Sequence, residues 1–440
     1  MSKPNSMKRR NFLKSSTLGV VAAGVMSGKV VFAGEEKKSE VQLPKIKEFR
    51  TLGRTGFKVS DISSGGPGDT AVLKALLDAG VNYIDTAEGY SRGQSEIATG
   101  KVIKNYDRKS LFITTKLQLD PKKDMSKEGI LKRARECLGR LDTEYIDCLM
   151  IHAPDKVETI KTEGFHAAAK QLKNEGKLKF VGISNHGAQW GEEEDNMEKI
   201  LLAAAADGRF DVMLLVYNFL RKEAGQRVLQ ACKEKNIGTT LMKTNPVGTY
   251  LFMKDRLDAM KKEGKKIPEF WMKVVPKLKA RADMADSFIK KYDLKNPVEI
   301  RDAAIKFVLV NPDVHTVCCS CRNFDDVENF VRLSGCALSS AETKKLSAYT
   351  EGCAQFYCRH ACGICESKCP HQVPVNTIMR YNHYFEAQGR EKYAMQKYAA
   401  LPGAKADRCF DCSGYCETAC PYDVPVHGLL GMAHERLILA

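Results

Sequence analysis

Between residues 49 and about 335 the chain alternates short apolar runs with longer segments whose apolar positions recur at helical spacing. A strand covered on both faces reads as a continuous apolar run and the helix covering it as an apolar stripe, so the alternation predicts repeated βα units. The predicted strands are 59–64, 83–86, 111–116, 146–152, 180–184, 212–217, 237–243 and 315–319. Eight in succession favour an α/β chain closed into a (β/α)8 TIM barrel, and the span is somewhat above the about 250 residues typical of that architecture. Ahead of them, Phe49-Arg-Thr-Leu-Gly-Arg-Thr-Gly-Phe57 predicts a hairpin with Gly53 and Gly56 at the turn, covering the barrel floor. An insertion of about 50 residues, 244–297, follows the seventh strand and contains Phe252, Phe270 and Trp271. It is expected either as a lid or substrate wall over the mouth or as an excursion packed on the outside.

The ends of the chain have a different character. Residues 1–33 carry Lys8-Arg-Arg-Asn-Phe-Leu-Lys14, a mildly apolar run from Ser15 to Phe32, and a small-residue site around Ala33. This segment resembles a twin-arginine signal peptide, which implies the twin-arginine export machinery as a partner and the periplasm or cell exterior as destination. Residues 34–48 are expected as a linker, 49–335 as the barrel, 336–357 as a second linker and 358–440 as a small, mostly α-helical domain. The formal charge is +15, but Lys3, Lys8, Arg9, Arg10, Lys14 and Lys29 belong to the leader and the other lysines are scattered among Asp and Glu. That pattern speaks for solvated faces and against nucleic-acid binding. The apolar stretch near the N-terminus is broken by Lys29, so no mature membrane span is expected.

In a barrel of this kind, side chains at the carboxyl ends of the strands converge on one pocket. Strand two ends in Asp85-Thr-Ala-Glu-Gly-Tyr90, strand three in Thr114-Thr-Lys116 and strand four in Leu149-Met-Ile-His152. Together Asp85, Tyr90, Lys116 and His152 resemble the catalytic tetrad of the aldo-keto reductases. The resemblance extends to Ser95-Glu96, to Arg140-Leu-Asp-Thr-Glu-Tyr-Ile-Asp147 and to Gly182-Ile-Ser-Asn185. It implies a carbonyl/alcohol oxidoreductase in which Tyr90 is the general acid, Lys116 lowers its pKa, Asp85 anchors Lys116 and His152 orients the substrate oxygen.

The same resemblance implies an NAD(P)H site: Ser184 and Asn185 at the nicotinamide carboxamide, Tyr217 stacked on the ring, and Lys243, Arg322 and Asn323 as further nucleotide contacts. Leu214 stands where the family usually has a glutamine. After strand eight, Ser320-Cys-Arg322-Asn-Phe-Asp-Asp326 offers one cation against two carboxylates, so no strong preference for NADPH is expected. Cys318, Cys319 and Cys321 read as buried small apolar residues, with a redox role as the alternative.

The chain has 16 cysteines, eight of them in two tight groups: Cys358, Cys362, Cys365 and Cys369-Pro370, then Cys409, Cys412, Cys416 and Cys420-Pro421. Thiolates so spaced and closed by Cys-Pro favour two 4Fe-4S clusters, with zinc as the alternative metal. The domain resembles a helical ferredoxin module, in which the fourth cysteine often serves the other cluster. Cys369 is then expected with the second group and Cys420 with the first, and Cys353 is a spare candidate. These readings point to an oxidoreductase acting on a small carbonyl or alcohol and exchanging electrons with an external redox partner. The alternative is an exported electron-transfer or redox-binding protein whose barrel no longer turns over nicotinamide.

Overall fold

A computed structural model describes residues 44–120, 122–186, 196–246, 269–294, 296–386 and 388–438. The leader, most of the 34–48 segment, and Phe252 with the first part of the insertion lie outside the described residues. Eight parallel strands close a barrel: β3 (Ile62–Gly65), β4 (Tyr83–Asp85), β5 (Phe112–Leu117), β6 (Ile146–His152), β7 (Leu178–Asn185), β8 (Val212–Val216), β9 (Gly238–Met242) and β10 (Thr316–Cys319), with β10 pairing to both β3 and β9. Among the described residues no helix is long and apolar enough to cross a membrane.

The hairpin forms as expected from β1 (Phe49–Thr51) and β2 (Lys58–Ser60), with Phe49 opposite Ser60. It takes the first part of the run predicted as barrel strand one. Buried Asp61 divides that run, accepting hydrogen bonds from Ser334 Oγ and the Gly335 N–H, and the barrel strand starts at Ile62. The turn closes the barrel floor: a Cβ on Gly53 would lie 2.3 Å from the Gly238 nitrogen, and its φ is +48°, so glycine is required. Leu52 plugs the interior against Tyr83, Phe112, Cys148, Met150, Val212 and Leu214.

The period of two along a strand decides what faces the interior. On β6, Cys148 and Met150 join the interior cluster, while Leu149 and Ile151 join the layer between strands and helices. The same parity carries the chain upward from Tyr83 to Asp85, from Phe112 to Lys116 and from Cys148 to His152. Apolar side chains fill the lower layers and the polar ones reach the top.

The C-terminal half packs as a second apolar cluster that includes Phe219 and Leu220 after β8, Phe270 and Trp271 of the insertion, and Tyr381, Tyr398 and Leu429. Residues 336–357, expected as a linker, contain the Ser340–Cys353 helix, started by a capping box between Ser339 and Glu342 and burying Leu346 and Tyr349. Cys353 sits in this apolar cluster, its thiol pushed up to about 12 by burial. The main described part of the insertion is the Glu269–Lys291 helix, which braces the C-terminal half and is not among the described residues lining the mouth. Phe270 lies 4.8 Å from Phe410 between ring centres, and the Trp271 indole donates to Glu435 at 2.7 Å.

Candidate active site at the barrel mouth

Asp85, Lys116 and His152 crown three neighbouring strands because register aligns them: Asp85 pairs with Thr114, Lys116 with Met150 and His152 with Ser184. Lys116 is fully buried. Its Nζ donates to Asp85 at 2.7 Å, to the Thr86 carbonyl at 2.6 Å and to Tyr90 Oη at 3.4 Å. Tyr90 stands on a tight turn in which Ser91 and Arg92 adopt positive φ. Its ring meets His152 edge-on, with centres 5.7 Å apart. Buried Glu96, bonded by Thr115 and Arg140, buttresses the turn from behind.

The electrostatics depart from the expected lowering of the tyrosine pKa. Burial raises Tyr90 well above its usual value, and Asp85 and Tyr384 push the same way against Arg390. Burial also raises Asp85, opposed by Lys116. His152 is held well below its usual value by burial, then by Lys116, Lys397 and Arg380, so its ring is neutral at neutral pH.

A cavity of about 90 Å³ opens above these groups. Asp85, Tyr90, His152, Leu214, Lys243 and Cys318 line its barrel side. The opposite wall comes from the C-terminal domain: Arg380, Tyr381 and Tyr384 of the Val375–Glu386 helix, then Arg390, and Tyr393 and Lys397 of the Glu391–Ala399 helix. Sequence reasoning noted the tyrosines of this segment but did not bring them to the site. The domain is fastened to the barrel rim by Asn218 donating to Tyr357 Oη at 3.2 Å, Arg221 to the Ala361 carbonyl at 2.9 Å, and Arg380 to the His186 carbonyl at 3.1 Å.

Of the nucleotide-binding residues expected from the sequence, Lys243 alone lines the cavity. Tyr217 does not: it has the parity of Met213 and Leu215, which face the helices, and its ring packs 5.8 Å from Phe307 while its hydroxyl bonds Gln226 and Asn311. The Asn185 amide donates to the Pro154 carbonyl, and Ser184 is fully buried. Asn323 caps the Phe324–Val331 helix by accepting from the Asp326 N–H. Arg322 pairs with Asp326 at 3.3 Å and abuts Gly389. Cys319 and Cys321 pack among apolar residues, as expected, but Cys318 faces the cavity.

Cysteines of the two groups approach one another: Cys365 has Cys416 as well as Cys420 among its neighbours. Cys358, Cys362, Cys365 and Cys420 line one small cavity of about 20 Å³. Cys409 and Cys416 are pushed up to about 12, first by burial and then by neighbours that include Cys369 and Cys412. Four thiols in each set suit a four-iron cluster in number and chemistry. Among the described residues, no three His, Cys, Asp or Glu side chains converge as tightly as in a closed metal site.

Residues 68–351 match the model of the aldo/keto reductase family. Aldo-keto reductase YhdN of Bacillus subtilis is 29% identical over 213 residues, 44% of this chain and 61% of that protein. Methylglyoxal reductase DkgB of Salmonella typhi is 32% identical over 139 residues, 31% of this chain and 48% of that protein. The chain thus spans about half to three fifths of the length of these curated relatives. The holo form of aldo-keto reductase AKR11C1 from Bacillus halodurans superposes with a TM-score of 0.50 at 19% identity, over 68% of this chain and 95% of that one, which shows the shared fold. The family match covers the barrel strands from β4 onward, the tetrad and most of the Ser340–Cys353 helix, and on that ground the chain belongs to the aldo/keto reductase family.

Proposed function

We propose that the protein is an oxidoreductase interconverting a small carbonyl compound and its alcohol, with Tyr90 moving the proton to or from the substrate oxygen. The observation that carries this reading is the placement of Lys116 Nζ between Asp85 and Tyr90 Oη, with His152 across the same cavity. A carbonyl oxygen lodged between Tyr90 and neutral His152 would accept two hydrogen bonds and receive its proton from the phenol. Lys116 stabilises the phenolate left behind, and Asp85 holds Lys116 in place. Substituting Tyr90→Phe is expected to lower carbonyl reduction at least about a hundredfold while substrate binding stays within a fewfold of wild type, the low end of what a positioned acid contributes. Unchanged turnover would overturn the assignment.

Family membership makes NAD(P)H the hydride carrier this reading names, yet Tyr217 is turned away and the mouth is covered. Those observations favour a second reading, in which the barrel no longer turns over nicotinamide and electrons pass to an external partner. Two 4Fe-4S clusters on the eight cysteines are proposed from spacing, donor number and the approach of the two groups; when bound, such clusters supply one-electron transfer. The Arg9-Arg10 leader supports export by the twin-arginine route to the periplasm or cell exterior.

A further inference from the structure

Lys116 and Lys243 both stand at the tops of barrel strands, and their surroundings suit different chemistry. Lys116 Nζ donates to Asp85, to the Thr86 carbonyl and to Tyr90 Oη, three acceptors that suit an ammonium. Lys243 follows β9, where strand parity would send it outward with Leu241 into the helix layer. Instead its φ of +56° breaks the strand, and the side chain lines the mouth cavity beside Met242. A left-handed backbone is costly for lysine, and residues held that way gather where a site needs one side chain in one place. The Asn218 amide fixes this turn by donating to the Lys243 carbonyl at 2.9 Å. Nζ lies 4.1 Å from the centre of the Tyr384 ring, which favours the ammonium modestly. Burial, then Arg380 and Arg390, prevail over the ring and hold Lys243 well below its usual value.

An ordinary lysine is free amine in only about one molecule in 2,500 at pH 7, and that share rises as its pKa falls. Free amines add to aldehydes and ketones, and desolvation or a neighbouring cation is what prepares a lysine to do so. The proton carriers such an addition needs line the same cavity. Tyr90, raised by burial, keeps a proton to give. His186 is held neutral by burial, and its Nδ1 is buried without a hydrogen-bond partner. About 90 Å³ is three times a water's share of liquid volume, about 30 Å³, so the space admits a compound of a few heavy atoms.

We propose that Lys243 is a nucleophilic amine that captures small aldehydes and ketones at the barrel mouth as a reversible imine. Its nitrogen bonds to the carbonyl carbon while the carbonyl oxygen takes a proton from Tyr90, and the nitrogen passes a proton to His186. The resulting hydroxyl leaves as water with the proton held by His186, and the iminium returns a proton to the Tyr90 phenolate. Carbonyl and primary amine thus give imine and water, with nothing oxidised or reduced. This rests on reading the mouth as a carbonyl site and is separate from hydride transfer. The imine withholds bound substrate from reduction, so it lowers kcat and KM together and leaves kcat/KM for reduction unchanged.

The test traps the imine on full-length protein. The protein is incubated at about pH 7 with methyl pyruvate and sodium cyanoborohydride, which reduces an imine to a stable secondary amine, and is then digested and mapped by mass spectrometry. The Lys243 peptide is expected to gain the mass of the probe less one oxygen atom. Its labelling should be at least about tenfold faster than that of exposed lysines such as Lys273 and Lys290, as a prepared amine requires. Methyl lactate, with a hydroxyl in place of the carbonyl, should leave no adduct. Tyr90→Phe should slow labelling of Lys243 at least about tenfold and leave that of Lys273 unchanged. Lys243→Met, its fold checked by circular dichroism, should lose the fast adduct. Labelling spread evenly over the lysines, or a fast adduct on Lys397 in place of Lys243, would overturn the proposal. If methyl pyruvate is still reduced with NAD(P)H in that case, the carbonyl/alcohol reading stands without it. A fast Lys243 adduct with no reduction would support the imine site and sink that reading.

Discussion

Tyr90 has two competing influences on its proton, and the outcome sets the pH behaviour of the site. Lys116 would lower its pKa, but that ammonium lies closer to Asp85, 2.7 Å against 3.4 Å, so burial and the Asp85 charge prevail and Tyr90 is raised. A raised tyrosine ionises only above about 10, and a lowered histidine takes up its proton only below about 6.5. Both groups therefore keep one protonation state between those limits. For a neutral carbonyl such as methyl pyruvate, kcat/KM for reduction is expected to be flat from about pH 7 to pH 9.5. The neutral probe matters, because its noncovalent binding does not depend on the charge of Lys243, which burial holds well below its usual value. A limb near pH 7 with the neutral probe would show that another group is the acid.

Strand parity explains how much of the site could be read from the sequence. Asp85, Lys116 and His152 each sit an even number of residues above an inward apolar side chain of the same strand, so pattern alone sends them to the top of the interior. Parity also shows why Tyr217 departs from the resemblance: it shares the outward set with Met213 and Leu215. The division of the first predicted strand at Asp61 was hidden because only Ser60 and Asp61 separate Val59 from Ile62, and the group that holds Asp61, Ser334, lies 273 residues away. Arg380, Arg390 and Lys397 were equally hidden, since cations on a helix read as a solvated face until docking is known. At the turn after β10 the observed pairing agrees with the sequence. Asp326 accepts from both the Arg322 backbone and side chain, so the cation there is already neutralised. Fluorescence titration is expected to show NADPH and NADH binding, where either binds, within a hundredfold of each other, about 2.7 kcal/mol. Tighter discrimination in favour of NADPH would mean that another cation takes the 2′-phosphate.

At the scale of the whole molecule, the two cysteine sets and the barrel mouth share one segment of chain. Residues 370–408 run from Cys369 to Cys409, and within them lie Arg380, Arg390 and Lys397, the far wall of the cavity. Both ends of the segment belong to the same proposed ligand set, Cys369 with Cys409, Cys412 and Cys416, so a metal bound there would close a loop that carries that wall. The wall also has attachments of its own, notably Arg380 to the His186 carbonyl and packing of its two helices against the Val426–Leu437 helix, so losing the metal need not unfold it. The barrel has a separate apolar layer between strands and helices and does not depend on the cysteines. Anaerobically purified protein is expected to contain two four-iron clusters, and a chelator should then weaken methyl pyruvate binding while far-ultraviolet circular dichroism stays close to that of the holoprotein. Cys369→Ser should reproduce the loss at the mouth, because it opens the loop at its N-terminal end. Cys420→Ser, on the set that encloses the segment only in the wider loop from Cys365 to Cys420, should lose iron with a smaller effect on methyl pyruvate. Zinc in place of iron would refute the cluster assignment. Iron loss with methyl pyruvate affinity unchanged would show that the rim contacts alone hold the wall, and would separate the metal from the chemistry of the barrel.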